Sequence, residues 1–284
     1  MSALPDTWRG SLALAFSRQA SGRTVLASRR HEGPLLVQKA LYPEGPEVCH
    51  VTLLHPPSGI AGGDELNIHV QVGSGAHALL TTPGATRWYK ANGRGAAQHV
   101  CMQVAAGARL EWLPQENLYF EQADAWVDNR IEIASGAAAI GWEVHQLGSI
   151  EKTTHWDDGR LLLTSTLSVD GTPLWLEAGE LAAHDALRHA QIGLAGLPVL
   201  GTLWAYGRVM GTAQDECVTQ SLPWTDTLRA GLTHLRHGEE DGLMLVRVLG
   251  VHAQDVRQLL VELWSRLRPT VLGTPAVPLR LWNT

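Results

Sequence analysis

Lysine is nearly missing. Lys39, Lys90 and Lys152 stand beside nineteen arginines in 284 residues, and there is no basic run. With a formal net charge of −6 as well, the chain does not suit nucleic acid or an anionic membrane as a partner. Charged residues of both signs reach only 18%, against about 25% in ordinary globular domains. Hydrophobic residues make up 45%, so a large core can form while few charges remain to cover its outside. Exposed apolar surface is expected, of the kind that marks partner sites on soluble proteins. Cysteine is as scarce: Cys49, Cys101 and Cys217 are far apart, odd in number and form no CxxC. They read as reduced thiols of a cytosolic protein, not as a disulfide framework or a thiolate zinc site. No apolar segment approaches the roughly 20 residues of a membrane-spanning helix. The opening MSALPDTWRGSLALAF lacks a basic region followed by a long apolar stretch, so no signal peptide is expected and the cytoplasm is the expected setting.

What is present is a chain of short alternating runs broken by glycine and proline. Leu12 to Phe16, Val48 to Leu54, Leu66 to Val72, His99 to Val104, Ile131 to Ala134, Arg160 to Val169 and Leu174 to Glu177 read as strands. In the strictly alternating run, Leu66, Ile68, Val70 and Val72 should share the core face. Three segments, VGSGAHALLTTP, VAAGARLEWLPQ and IASGAAAIGWEV, repeat a strand, a Gly-Ala turn and a second strand. Their glycines, Gly75, Gly107 and Gly136, are 32 and 29 residues apart. The repeat predicts a mostly β protein of stacked layers, either a β-helix-like solenoid or a folded-over sheet.

Residues 1–210 form this β-rich body, and 211–284 a small C-terminal α/β portion packed on it as one structural unit. Val256, Leu259, Leu260, Leu263, Trp264 and Leu267 follow the spacing of an amphipathic helix, which Pro269 is expected to end. Thr225 to Arg236 reads as a second helix and Leu243 to Leu249 as a strand. The eleven tryptophans, beside only two phenylalanines, are expected to supply the core's aromatics.

The segment HPPSGIAGGDEL, His55 to Leu66, is the most distinctive. It has neither GxxxxGK[ST] nor GxGxxG, so it is no phosphate or dinucleotide loop. It reads as a rigid turn capped by Asp64, with a functional carboxylate as the other reading. Thirteen histidines include the pairs His50/His55, His184/His189 and His234/His237, yet HExxH and Cys/His clusters are missing and no tight metal site is predicted. Glu111, Glu143 and Glu177 stand among tryptophans and leucines, where a charge is costly unless paired or hydrated. A hydrated passage for cations would give them a reason; strand alternation with the acid facing solvent is the plainer one. Glu143 and Glu177 could also form a glycosidase-type pair. No GxSxG elbow is present, and ENLYFEQ, Glu116 to Gln122, resembles a tag-cleavage site by accident, interrupted by Glu121 and lying between predicted strands.

Several segments together resemble the urease accessory protein D family. They are LASRRHEGPLLVQKALYPEG (from Leu26), CHVTLLHPPSGIAGGDEL (from Cys49), ALLTTPGATRWYK (from Ala78), LEWLPQE (from Leu110), GLPVLGTLW (from Gly196) and LWSRLRP…VPLRLW (from Leu263). The match runs nearly end to end in the family's order. Ser58 stands where the family commonly has a second glycine, and ENLYFE replaces a more usual apolar-plus-aspartate stretch. The resemblance implies a non-catalytic maturation factor on a β-rich stack of strands. Its partners would be UreF, the GTPase UreG and apo-urease, with UreE as an indirect nickel donor. GTP hydrolysis would belong to the partner, and no cofactor would be bound tightly, Ni2+ passing only transiently. On this reading Asp64, Glu143 and Glu177 line or flank a nickel path, with His55 and Thr86 as further candidates. The alternatives are a polysaccharide-acting enzyme on a β-solenoid and a nickel-binding storage protein.

Overall fold

The three Gly-Ala turns set the pitch of the fold. In a computed structural model, which describes residues 7–149, 156–208, 218–239 and 241–283, Gly75, Gly107 and Gly136 all turn the chain with φ near +70°. Only glycine adopts that conformation without steric cost. The alanine after each, Ala76, Ala108 and Ala137, is buried. Strand pairing repeats the sequence spacing: Glu65 lies beside Ala97, an offset of 32, and Val104 beside Ile133, an offset of 29. One glycine-to-glycine interval is therefore one coil of a flattened β-solenoid.

The coils alternate between two sheets. The first sheet contains β1 (Arg9–Arg18), β2 (Thr24–Glu32), β6 (Glu65–Val72), β9 (Ala96–Val104), β12 (Asp124–Ile133), β14 (Arg160–Val169) and β15 (Thr172–Ala182), in the order β15-β14-β12-β9-β6-β1-β2. The second contains β3 (Leu36–Val37), β4 (Val48–Leu54), β7 (His77–Thr81), β10 (Arg109–Leu113), β13 (Ala138–Leu147), β16 (Val199–Arg208), β17 (Leu228–His237) and β18 (Asp241–Gly250), in the order β17-β18-β16-β13-β10-β7-β4-β3. Short strands β5 (Gly59–Ile60), β8 (Thr86–Trp88) and β11 (Asn117–Tyr119) extend the second sheet beside β13. The coil strands pair in parallel, and antiparallel neighbours such as β2, β15 and β16 close the ends. Leu66, Ile68, Val70 and Val72 face the inter-sheet core as their alternation predicts.

A 20-residue helix, α1 (Ala253–Leu272), covers the outer face of the second sheet. Val256, Leu260, Leu263, Trp264 and Leu267 are buried against that sheet, and Leu259 packs at the margin. Pro269 does not end the helix, contrary to expectation. Arg268 and Leu272 are both buried, which holds the last turn in place. The helix stops at Gly273, whose φ of +66° and bond to the Pro269 carbonyl make a left-handed cap. The expected helix over Thr225 to Arg236 is also corrected. Leu228–His237 is strand β17, fully paired with β18. Its Leu228, Ala230 and Leu232 all pack on the core beneath α1, a period of two that pairing enforces over helix propensity. ENLYFEQ is likewise more than a connection, because β11 lies within it. Trp88, Trp112, Trp142, Trp156, Trp175, Trp204 and Trp264 are buried, while Trp8, Trp126 and Trp224 are exposed. Cys49 and Cys101 are free thiols; Cys217 lies outside the described residues.

Candidate functional site

A polar seam crosses the otherwise apolar space between the sheets. In the first sheet, strand pairing aligns Asn129, Ser165 and Glu177 in one row. In the second, it aligns Glu143, Thr202 and Arg247. The rows face each other: Asn129 Nδ2 donates to Glu143 Oε1, and Arg247 ion-pairs with Glu177. Alternation puts these side chains inward because their neighbours, such as Trp142 and Val144, point outward to α1.

Two cavities meet at Glu143. One, of about 170 Å³, is lined by His55, Thr86, Gln98, Gln115 and Asn117 among others, and by Glu143. The second, of about 120 Å³, is lined by Glu143, His145, Ser165, Glu177, Thr202 and Arg247. Glu143 is 14% exposed at the junction, whereas Glu177 is 46% exposed at the far end. His145 Nε2 lies 3.5 Å from Glu143, and its Nδ1 shares a 2.9 Å hydrogen bond with the Tyr119 hydroxyl. Burial, and then the charge of Glu143, hold Tyr119 well above the usual phenol range, so the phenol stays neutral. Asn129 Oδ1 is buried without a hydrogen-bond partner. Buried polar atoms rarely stay unpaired, and this oxygen is a spare acceptor in the seam.

The opposite end opens at the loops around His55 and Thr86. His55 Nδ1 is also buried without a partner. Burial lowers the His55 pKa, against a smaller opposing effect from Asp64, so the ring is neutral at pH 7 and able to act as a donor ligand. Asp64 lines neither cavity. Its Oδ2 accepts from the Ala61 N–H at 2.8 Å, the capped turn of the plainer reading, and its charge stands close enough to reach His55. Thus His55, Thr86, Glu143 and Glu177 lie along one seam, with Asp64 beside its loop end.

The most buried acid belongs elsewhere. Glu111 points outward under α1 and is completely buried. Arg268 donates to both of its oxygens at 2.9 Å, and His77 Nε2 and Trp264 Nε1 each lie at 2.7 Å. Arg268 also binds Glu44, which in turn bonds His50 at 2.7 Å. Burial alone would raise the Glu111 pKa; His77 and Arg268 outweigh it and hold it at about 2. Among the described residues, no three His, Cys, Asp or Glu side chains come together as a metal ligand set.

Comparison with known proteins gives this architecture a family. The model of the UreD urease accessory protein matches residues 9–283. The urease accessory protein UreD of Bordetella pertussis is 54% identical over 284 residues, covering 100% of both chains. That of Ralstonia nicotianae is 50% identical over 280 residues, 98% of this chain and 95% of its own. The Cupriavidus necator protein is 48% identical over 281 residues, 99% and 96%. The chain belongs to the UreD urease accessory protein family. Its role is accessory rather than enzymatic.

Within this family member, the HPPSGIAGGDEL segment is explained as scaffold for the seam's loop end. A Cβ on Gly62 would stand 1.8 Å from the Ala91 carbonyl oxygen, and one on Gly59 would strike the Tyr89 ring. Ser58 has a φ of +59°, a left-handed backbone that glycine adopts without steric cost. Asn129, His145, Ser165, Thr202 and Arg247 were not singled out by sequence reasoning. Their alignment depends on register between residues 36 to 70 apart in the chain. The repeat spacing could have placed Asn129, but the antiparallel pairing of β16 with β18 that brings Arg247 leaves no such signal.

Proposed function

We propose that this protein matures urease by scaffolding: it joins the UreF–UreG complex to apo-urease in the cytoplasm while Ni2+ passes through the inter-sheet seam. The observation that carries the reading is the pair of cavities sharing Glu143. It gives a largely buried carboxylate, imidazoles and amide oxygens along one polar seam in an apolar sandwich. Such donors suit a cargo ion. Conduction requires sites that bind well enough to admit an ion and weakly enough to release it. A clustered His/Cys site would trap nickel, which stands high in the Irving–Williams order. Asp64 and His55 would flank the loop end, Glu143 the middle and Glu177 the edge between β15 and β18. GTP hydrolysis by UreG supplies the driving step, and UreE feeds nickel indirectly.

Exposed apolar residues support the scaffold half of this reading. Ile192, Trp224 and Leu176 are 93%, 75% and 73% exposed, and no helix among the described residues is long and apolar enough to cross a membrane. The test is to assemble apo-urease with the accessory set, with and without this chain, and to measure nickel per enzyme. Nickel-free urease only when the chain is omitted is the expected result; equal loading in both would overturn the role.

A further inference from the structure

Arg247 puts a positive charge at the mouth of a path argued to carry cations. Its guanidinium ion-pairs with Glu177, donates to Thr202 Oγ1 at 2.9 Å, and lies 5.4 Å from the centre of the Trp175 ring. Trp175 Nε1 donates to the same Glu177 oxygen at 3.1 Å. These groups line the smaller cavity at its solvent end, where the Arg247 and Glu177 side chains are 41% and 46% exposed. The other charged or titratable side chains lining that cavity are Glu143 and His145, deeper in. A guanidinium stays protonated at any pH the protein meets. In this position it neutralises Glu177, and it repels a divalent ion twice as strongly as a monovalent one at equal distance.

We propose that Arg247 is the gate of the seam. Paired with Glu177 it closes the β15–β18 mouth to cations; swung into solvent, it leaves Glu177 as the first oxygen ligand an ion meets. The inference rests on the seam being the nickel path. Half-exposed ion pairs are weakly held, so the side chain can leave Glu177 without unfolding anything around it. Thr202 and the Trp175 ring face give it a defined place to return to.

Nickel incorporation into apo-urease, measured against free Ni2+ with the complete accessory set, tests the gate. The full-length chains compared are the parent, Arg247→Gln, Arg247→Lys and Glu143→Leu. Arg247→Gln should lower the half-saturating nickel concentration about threefold to tenfold, as expected when a local repulsive field is removed. The final nickel content should not fall. Arg247→Lys, which keeps the charge, should restore the parent's concentration dependence. If Arg247→Gln behaves as the parent while Glu143→Leu blocks loading, the gate is overturned and the path survives. If Glu143→Leu also loads as the parent does, the path is overturned and the gate with it. A merely structural Arg247 would lower the final nickel content in the Gln and Lys forms alike, and that result also overturns the gate.

Discussion

Two acids on opposite faces of the same sheet, one wholly and one largely buried, have opposite fates. Glu111, under α1, has both oxygens bound, by His77, Trp264 and twice by Arg268. Glu143, between the sheets, accepts from Asn129, faces His145 at 3.5 Å and stands at the meeting of two cavities. Full satisfaction turns a buried carboxylate into a clamp, here one that ties α1 to β10. Spare coordination beside open volume leaves one available to a ligand. Depth alone would have pointed to Glu111, the more buried of the two, whose oxygens are already taken.

The largest effect should come from breaking the clamp. Arg268→Ala leaves Glu111 and Glu44 buried without their cation, and removing one partner of such a pair costs about 3–5 kcal/mol. Denaturant unfolding should show that loss, whereas Glu143→Leu should cost less, about 1–3 kcal/mol, because it strands only the Asn129 amide donor. Glu111→Leu should resemble Arg268→Ala. A tolerated Glu111→Leu would dissolve the contrast between the two acids.

Acid should attack the same region next. Glu111 is held at about 2 against an ordinary 4.5, and Glu44 is shifted downward as well, where His50 and Arg268 overcome the effect of burial. A depressed folded-state pKa gives stability that is complete above the unfolded value and is lost as pH falls through the folded one. Unfolding midpoints should therefore decline between about pH 4.5 and pH 2, and Glu111→Gln should flatten that decline.

The smallest effect sharpens the other side of the comparison. Ser58 lines the loop-end cavity with a φ of +59°. Ser58→Gly should relieve that conformation and stabilise the fold by about 0.5 kcal/mol, the αL penalty less glycine's entropic cost. Nickel loading should be unchanged, because no buried donor is lost. A loading defect would assign the hydroxyl a role that its position does not suggest.

Much of the architecture was legible beforehand because it is periodic. The glycine spacings of 32 and 29 are the strand offsets themselves, and the alternation of Leu66 to Val72 gave the core face. The errors fell where long-range pairing or anchoring decides. Leu228–His237 became a strand because β18 lies beside it. Pro269 stayed inside α1 because Arg268 is buried in the clamp. Of the site, the acids could be noticed as charges in apolar runs, but their neighbours could not. Asn129, His145 and Arg247 acquire meaning only from the register that aligns them, and Asp64 belongs first to its own turn.

The central claim is that Glu143 stands in the path of the ion. The most direct test loads apo-urease using the Glu143→Leu chain, with its melting temperature and its binding to UreF checked alongside. The account predicts a folded, complex-forming chain that leaves urease without nickel. Full nickel content per enzyme from that same chain would contradict it.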